Sequence, residues 1–288
     1  MTKTKNVLVT GANCSLASAF VAYLTERGLN DQYLIYGTSR TGNKVNGFHQ
    51  VFRLDFSSND VPDIAVDFDY VFHLAAALPR QYRENADFTK INVDGPIKFF
   101  ERISFNAGGL FLNISSWDVY AKPNSNISEG SPKTTDNYYG MSKLLFEEKI
   151  TSLLSSAVLT VISVRVPCLL IPSVKGNFMA KWKNLISEGE SISIANPDST
   201  SNAFIDGASI FRFALDYKSV ASLSFNVGAK NAISLQHIAQ IVAMKARKKL
   251  SFETKEVGGE SQHIATILAE KYGFVAPSLE QIVTTYSQ

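Results

Sequence analysis

Tyr139-Gly140-Met141-Ser142-Lys143 sets a phenol and an ammonium four residues apart, which on a helix puts them on one face. A lysine ammonium beside a phenol favours the phenolate and lowers its pKa from about 10. The pair then forms a general acid/base, able to move a proton on or off an alcohol while hydride moves on or off its carbon. By itself the spacing also fits a surface pair on any helix. It gains force from Ile114-Ser115-Ser116-Trp117-Asp118-Val119-Tyr120, which closes a β-rich run. Ser116 there can donate a hydrogen bond to the same substrate oxygen, with Asp118 beside it. Ser116, Asp118, Tyr139 and Lys143 are the expected catalytic set.

A second chemistry stands near the N-terminus. Val7-Leu8-Val9 reads as a buried strand that runs into Thr10-Gly11-Ala12-Asn13-Cys14-Ser15-Leu16-Ala17. Strand, tight turn and helix N-terminus, in that order, can hold a pyrophosphate. The three-glycine spacing of such turns survives as Gly11, Cys14 and Ala17. Gly11 permits the sharp turn and Ala17 the close helix–strand packing. Cys14 departs, because its Cβ projects where backbone approaches phosphate. It reads as a small space-filler ahead of a redox-active thiol, and the whole turn also fits a plain connection. Gly11, Asn13, Cys14, Ser15 and Leu16 are expected to face a dinucleotide.

The next strand ends Tyr36-Gly37-Thr38-Ser39-Arg40, with no Asp or Glu between Tyr33 and Gly47. An acidic residue at this strand end accepts from a ribose 2′-hydroxyl, whereas an arginine accommodates a 2′-phosphate. Arg40 therefore predicts NADP, with NAD as the second choice. The competing reading is a solvated loop arginine.

Those groups need a scaffold, and the first half of the chain supplies one. Short apolar runs at Tyr33–Tyr36, Val51–Leu54, Tyr70–Leu74, Leu110–Ile114 and Val158–Val166 read as further strands. Helical spacing fills Ser15 to Arg27, a stretch ending at about Phe105, and a stretch starting near Tyr139. Alternating strands and helices predict a doubly wound parallel sheet covered on both faces. After Pro167 the pattern changes to shorter elements: helices near Phe178–Ser187, Ile205–Tyr217 and Leu235–Arg247, and a strand at Ile192–Ile194. This tail reads as a smaller lobe over the carboxyl edge of the sheet, where such sheets bind ligands. The expected division is a dinucleotide-binding domain at 1–167 and a substrate lobe at 168–288, interleaved with the first near 205–230.

Composition narrows the classes. Of 288 residues, 45% are hydrophobic and 19% charged, an ordinary globular mixture. A net charge of +2 is too near neutral for a nucleic-acid footprint. Two cysteines and four histidines show no metal-ligand spacing, so no metal is expected. No signal-peptide core or membrane-length apolar run is visible, and a cytoplasmic protein is expected.

The motifs, taken in order, resemble the extended short-chain dehydrogenase/reductases, the nucleotide-sugar epimerase/dehydratase group. They are Val9-Thr10-Gly11-Ala12, Asp55 after the third strand, His73-Leu74-Ala75-Ala76, Ile91-Asn92-Val93-Asp94-Gly95, Ser115-Ser116-x-x-Val119-Tyr120, Tyr139-x-x-x-Lys143 and Val164-Arg165-Val166-Pro167. Phe225-Asn226-Val227-Gly228 before Ile233-Ser234-Leu235, and Tyr272-Gly273-Phe274 before Pro277-Ser278-Leu279-Glu280, continue it nearly to the end. The resemblance implies a Rossmann fold in which Tyr139 is the acid/base, Lys143 holds the cofactor ribose and Ser116 binds the substrate oxygen. It implies that Asp55 and Phe56 lie by the adenine, that Leu74, Ala75 and Ala76 line the dinucleotide, and that Pro167 and Cys168 border the nicotinamide. Asn92 would support the active-site helix, while His73, Met179 and Trp182 read as packing and Lys245–Lys249 as a solvated helix end.

Two departures shape the functional expectation. Asn202 stands where the group carries an arginine that grips a substrate diphosphate, so another cation such as Lys175, Lys181 or Lys183 would be needed. Trp117 and Asp118 stand where dehydratases carry an Asp-Glu pair. The expected function is an NAD(P)-dependent epimerase or ketoreductase acting at a hydroxyl or keto carbon of a nucleotide sugar, as a homodimer, without nucleic-acid or membrane partners. A reductase of a non-sugar carbonyl and a non-catalytic NADP sensor or scaffold are the alternatives.

Overall fold

The computed structural model describes residues 4–82, 84–121, 125–134, 136–155, 159–173, 178–255 and 261–287. The chain forms two compact units. Met1–Lys122, Pro132–Arg165 and Ala214–Phe225 make the first, and Pro123–Ser131, Val166–Phe213 and Asn226–Gln288 the second.

The first unit is built on a seven-stranded sheet, of which only Val166 and Asn226 fall outside it. Strands β1 (Lys5–Thr10), β2 (Tyr33–Ser39), β3 (Gln50–Arg53), β4 (Asp67–His73), β5 (Ser104–Ser116), β6 (Thr160–Val166) and β7 (Leu223–Asn226) lie in the order β7-β6-β5-β4-β1-β2-β3. β1 runs parallel to β2 and β4, β2 to β3, and β4 to β5. Val7, Leu8 and Val9, Val71 and Phe72, and Leu110 to Leu112 are all buried, as continuous apolar runs in a sheet covered on both faces should be. The covering helices are α1 (Ser15–Glu26), α2 (Asn85–Thr89) and α3 (Gly95–Phe100), the last two joined by a π turn at Lys90–Asp94, and α4 (Tyr138–Leu154). Phe68, Phe99, Phe100, Phe111 and Phe146 fill the layer beneath them.

The helix expected to reach Phe105 stops at Phe100. Ser104 and Phe105 already pair with Asp67 and Phe68, and pairing resumes at Leu110 opposite Tyr70. The four intervening residues, 106–109, are accommodated as a bulge in which Gly108 takes φ +75°. The apolar run Phe99, Phe100, Ile103, Phe105 fits either period, and strand pairing decides it.

The second unit holds α5 (Phe178–Glu188), the start of α6 (Gly207–Asp216), α7 (Leu235–Lys245), α8 (Ile267–Lys271) and α9 (Leu279–Tyr286). Met179 and Trp182 pack with Ile238, Val242, Leu279 and Val283 in its core. The Lys245–Lys249 run is exposed at the end of α7, apart from Ala246. α6 begins two residues later than its spacing suggests, because Phe204–Ile205 pairs as a short strand with Cys168–Leu169. Among the described residues no helix is long and apolar enough to cross a membrane.

Candidate active site

β1 ends at Thr10 and the chain turns at Gly11, whose φ of +76° and approach to the Ala75 backbone suit a glycine. The Gly11 and Ala12 N–H groups both donate to the Thr38 carbonyl at 2.9 Å. Cys14 then caps α1, its Sγ accepting from the Ala17 N–H at 3.3 Å. The thiol thus takes the place of the hydroxyl or carboxylate that usually caps a helix. Burial pushes its pKa up, which keeps it protonated and fits the packing reading rather than a reactive thiolate.

The turn opens on a cavity of about 380 Å³. Of the residues expected to hold a dinucleotide, Gly11, Asn13, Cys14, Arg40, Asp55, Phe56, Leu74, Ala75 and Ala76 line it. Ser15 and Leu16 are not among its lining residues. They begin α1, with the Leu16 side chain in the core. Pro167 and Cys168 belong to the second unit, where the Cys168 thiol packs against the core and is pushed up to about 12 by burial. The cavity extends from the N-terminus of α1, a favourable place for a pyrophosphate, to Arg40 and Asp55 beyond the ends of β2 and β3. Its described residues therefore fit a dinucleotide. Two hydrogen bonds from Ser57, then the nearby positive charges of Arg40 and Lys90, hold the Asp55 carboxyl below its ordinary value.

The rim of this cavity is held from below. The Leu74 and Ala75 N–H groups donate to Thr10 Oγ1, at 3.1 and 3.3 Å, while the same hydroxyl lies 2.8 Å from His73 Nδ1. With two donors already aimed at the oxygen, its proton goes to Nδ1. His73 is a satisfied core histidine whose pKa burial drives well down. Asn92, inside the π turn, accepts from the Ala77 N–H at 2.7 Å and donates to the Ala77 carbonyl and the Ser142 hydroxyl. One buried amide thereby ties the cavity wall to α4.

α4 starts under the Asn137 cap, which accepts from Gly140 N–H at 3.1 Å. A Cβ on Gly140 would overlap the Asp118 carbonyl, so this glycine sets how closely α4 approaches the Ser116 segment. Ser116 ends β5, accepts from the Asp118 N–H at 3.1 Å and lies 3.2 Å from Asp118 Oδ2. Its hydroxyl also lies beside the Tyr139 phenol, close enough to favour the phenolate. Lys143 lies one turn further along α4 and is buried, 3% exposed.

The electrostatics differ from the expectation. The Tyr139 phenol is raised above 10, not lowered: burial dominates, the Asp118 charge adds to it, and the Ser116 hydroxyl opposes it. Burial instead acts on Lys143, pushing its ammonium down to about 8 against the pull of Glu147.

Tyr139 faces a second cavity of about 410 Å³, lined also by Tyr82, Phe88, Asp136, Asn137 and Tyr138. Phe88 meets the Tyr139 ring edge-on at 5.9 Å, and Tyr82 lines both cavities. Arg80 and Gln81 line the first. Sequence reasoning missed these four; their only signal is a polar stretch without periodicity between Leu78 and Asn92.

Asn202, in the second unit, is committed to backbone. Its amide donates to the Ala229 and Ile264 carbonyls and accepts from the Ile264 N–H at 2.8 Å. Lys183 reaches the Tyr286 carbonyl at 3.4 Å, Lys181 is exposed, and Lys175 lies outside the described residues.

A parallel sheet with a dinucleotide turn, joined to a Ser–Tyr–Lys set at the ends of β5 and α4, defines an extended short-chain dehydrogenase/reductase. The chain belongs to the NAD dependent epimerase/dehydratase family, whose model matches residues 7–228. It is accordingly an NAD(P)-dependent epimerase or oxidoreductase acting at a hydroxyl or keto carbon. No curated protein matches it in sequence. Its fold is similar to a UDP-N-acetylglucosamine 4-epimerase from Methanobrevibacter ruminantium M1, at 20% identity, covering 99% of this chain and 97% of that one, with a TM-score of 0.79. It is also similar to RMD from Pseudomonas aeruginosa complexed with NADPH, at 19% identity, covering 99% and 98%, with a TM-score of 0.78. A UDP-glucuronic acid 4-epimerase from Bacillus cereus in complex with NAD matches at 19% identity over 98% and 95%, with a TM-score of 0.77.

Proposed function

We propose that the protein is a nucleotide-sugar epimerase that exchanges hydride at a carbinol carbon. The observation that carries this reading is the Ser116 hydroxyl beside the Tyr139 phenol, with Lys143 one turn away, in the unit that also holds the dinucleotide cavity. Tyr139 takes and returns the alcohol proton, Ser116 holds the same oxygen, and Lys143 binds the cofactor ribose. The bound dinucleotide supplies the hydride acceptor and donor. Two of the similar structures are UDP-sugar 4-epimerases, which supports the substrate class. Trp117 and Asp118, in place of an Asp-Glu pair, argue against loss of water.

The cofactor of this reading is NADP in preference to NAD. Arg40 lines the cavity, and Arg40 and Ser39 offer donors to a 2′-phosphate. One similar structure holds NADPH, and another holds NAD.

The test is incubation with UDP-glucose, UDP-N-acetylglucosamine and UDP-glucuronic acid, with the sugar protons followed by NMR. The 4-epimer should form without net consumption of cofactor, and Tyr139→Phe should slow it by about two orders of magnitude while leaving dinucleotide binding intact. A 4-keto-6-deoxy product, or equal rates in parent and Tyr139→Phe, would overturn the reading.

A second reading, reduction of a non-sugar carbonyl, is favoured by one observation: Asn202 spends its own amide on backbone rather than on a diphosphate. Stoichiometric loss of NADPH with such a carbonyl, and no nucleotide-sugar turnover, would establish it.

A further inference from the structure

Glu147 lies on α4 one turn beyond Lys143 and is buried, 4% exposed. Its carboxylate is saturated. Arg165, on β6, donates Nε to Oε1 at 3.1 Å and a terminal nitrogen to Oε2 at 2.7 Å. Ser115, on β5, donates to Oε1, and Ser224, on β7, donates to Oε2 at 2.9 Å. Arg165 gives its remaining nitrogen to the Tyr120 hydroxyl at 2.9 Å. The segment from Ser115 to Tyr120, which carries Ser116 and Asp118, is therefore held at both ends: directly at Ser115 and through Arg165 at Tyr120.

We propose that Glu147 is a positioning residue for the acid/base set: its carboxylate fixes α4 against the Ser115–Tyr120 segment and so sets the reach between Tyr139 and Ser116. The proposal rests on the acid/base reading above. A plain structural ion pair would need only Arg165. Here the same carboxylate engages the neighbour of Ser116 on one side and stands one turn from Lys143 on the other. The absence of a side chain at Gly140 lets the start of α4 rest on the Asp118 backbone, so a small drift of the helix is felt at that contact. The charged and titratable groups around this point are Lys143 on α4, Arg165 on β6, Tyr120 after β5 and His73 on β4. Among them Glu147 supplies the negative charge that holds the Lys143 ammonium up against burial.

The test compares Glu147→Gln and Ser115→Ala with the parent, each checked for folding by circular dichroism. Lys143 is titrated by NMR of labelled lysine, its signal assigned by loss in Lys143→Met. In folded Glu147→Gln the Lys143 pKa should fall below its parental value, and kcat should drop at least ten-fold with KM for the dinucleotide unchanged. A Lys143 titration and a kcat equal to the parent's would overturn the proposal, as would parallel losses in kcat and dinucleotide affinity. If Glu147→Gln does not fold, Ser115→Ala decides, since it removes one bond and leaves the ion pair. A smaller drop in kcat at unchanged KM supports the proposal, and a parental kcat overturns it. Absence of turnover in the parent would count against the epimerase reading alone, and the Lys143 titration would still judge Glu147.

Discussion

At the scale of the residue, Lys143 makes a measurable claim. Its ammonium is held down to about 8 by burial, while in the unfolded chain it titrates near 10.4. Between those values the unfolded chain binds the additional proton, so stability rises with pH across that window and is lower below it. Partly buried phenols and thiols with raised pKa values pull the other way at high pH, among them Tyr33, Tyr139 and Cys168. The informative quantity is thus a difference. Parent minus Lys143→Met unfolding free energy should climb by about 3 kcal/mol from pH 8 to 10.5, read from urea melts. A flat difference would mean that Lys143 is not desolvated. Arg40 makes the second residue-scale prediction. Arg40→Ala should weaken NADPH by roughly ten- to a hundred-fold and NADH little, as calorimetry would show, since a charge-assisted contact to phosphate is lost. Equal weakening of both would return Arg40 to the solvent. Much of this scale was legible: Tyr139, Lys143 and Ser116 are recognisable by type and spacing. Glu147 was not, because in Phe146-Glu147-Glu148-Lys149 it reads as part of a solvated helix face. Its partners lie 18, 32 and 77 residues away.

At the scale of the element, α1 and α4 show how unlike residues do the same work. α1 is capped by a thiol, a weak acceptor, where a hydroxyl would bond the Ala17 N–H more strongly. Cys14→Ser should raise the stability of the protein by up to about 1 kcal/mol, seen as a higher Tm. A lower Tm would show that the sulfur is there for its packing. On α4, Gly140→Ala forces a methyl into the Asp118 carbonyl. It should cost more than the few tenths of a kcal/mol usual at an open surface, and it should reduce turnover more than dinucleotide binding. The strands were legible because buried parallel strands are unbroken apolar runs, as in Val7-Leu8-Val9. The end of α3 was not, since Phe99 to Phe105 satisfies both periods and only the partner strand discriminates. The cap at Cys14 escaped notice because cysteine is outside the usual capping set.

At the scale of the molecule, the sheet is completed by a strand taken from far along the chain. β7, at Leu223–Asn226, closes one edge after the chain has supplied Val166–Phe213 to the second unit. A fragment ending at Val166 would lack that strand and the Ser224 bond to Glu147. It should unfold at lower urea and less cooperatively than the full chain, by circular dichroism. Coincident transitions would show β7 to be dispensable. The same feature has a meaning for the ribosome. Synthesis runs from the N-terminus, so α4 leaves the exit tunnel with Glu147 facing a place that Ser224 will fill only 77 residues later. At the usual pace of translation that gap lasts on the order of several seconds. During that time the nascent sheet has an unpaired edge at β6 and a carboxylate short of one donor. An open strand edge of this kind is what a chaperone shields, so the half-made protein offers one there and loses it when β7 arrives.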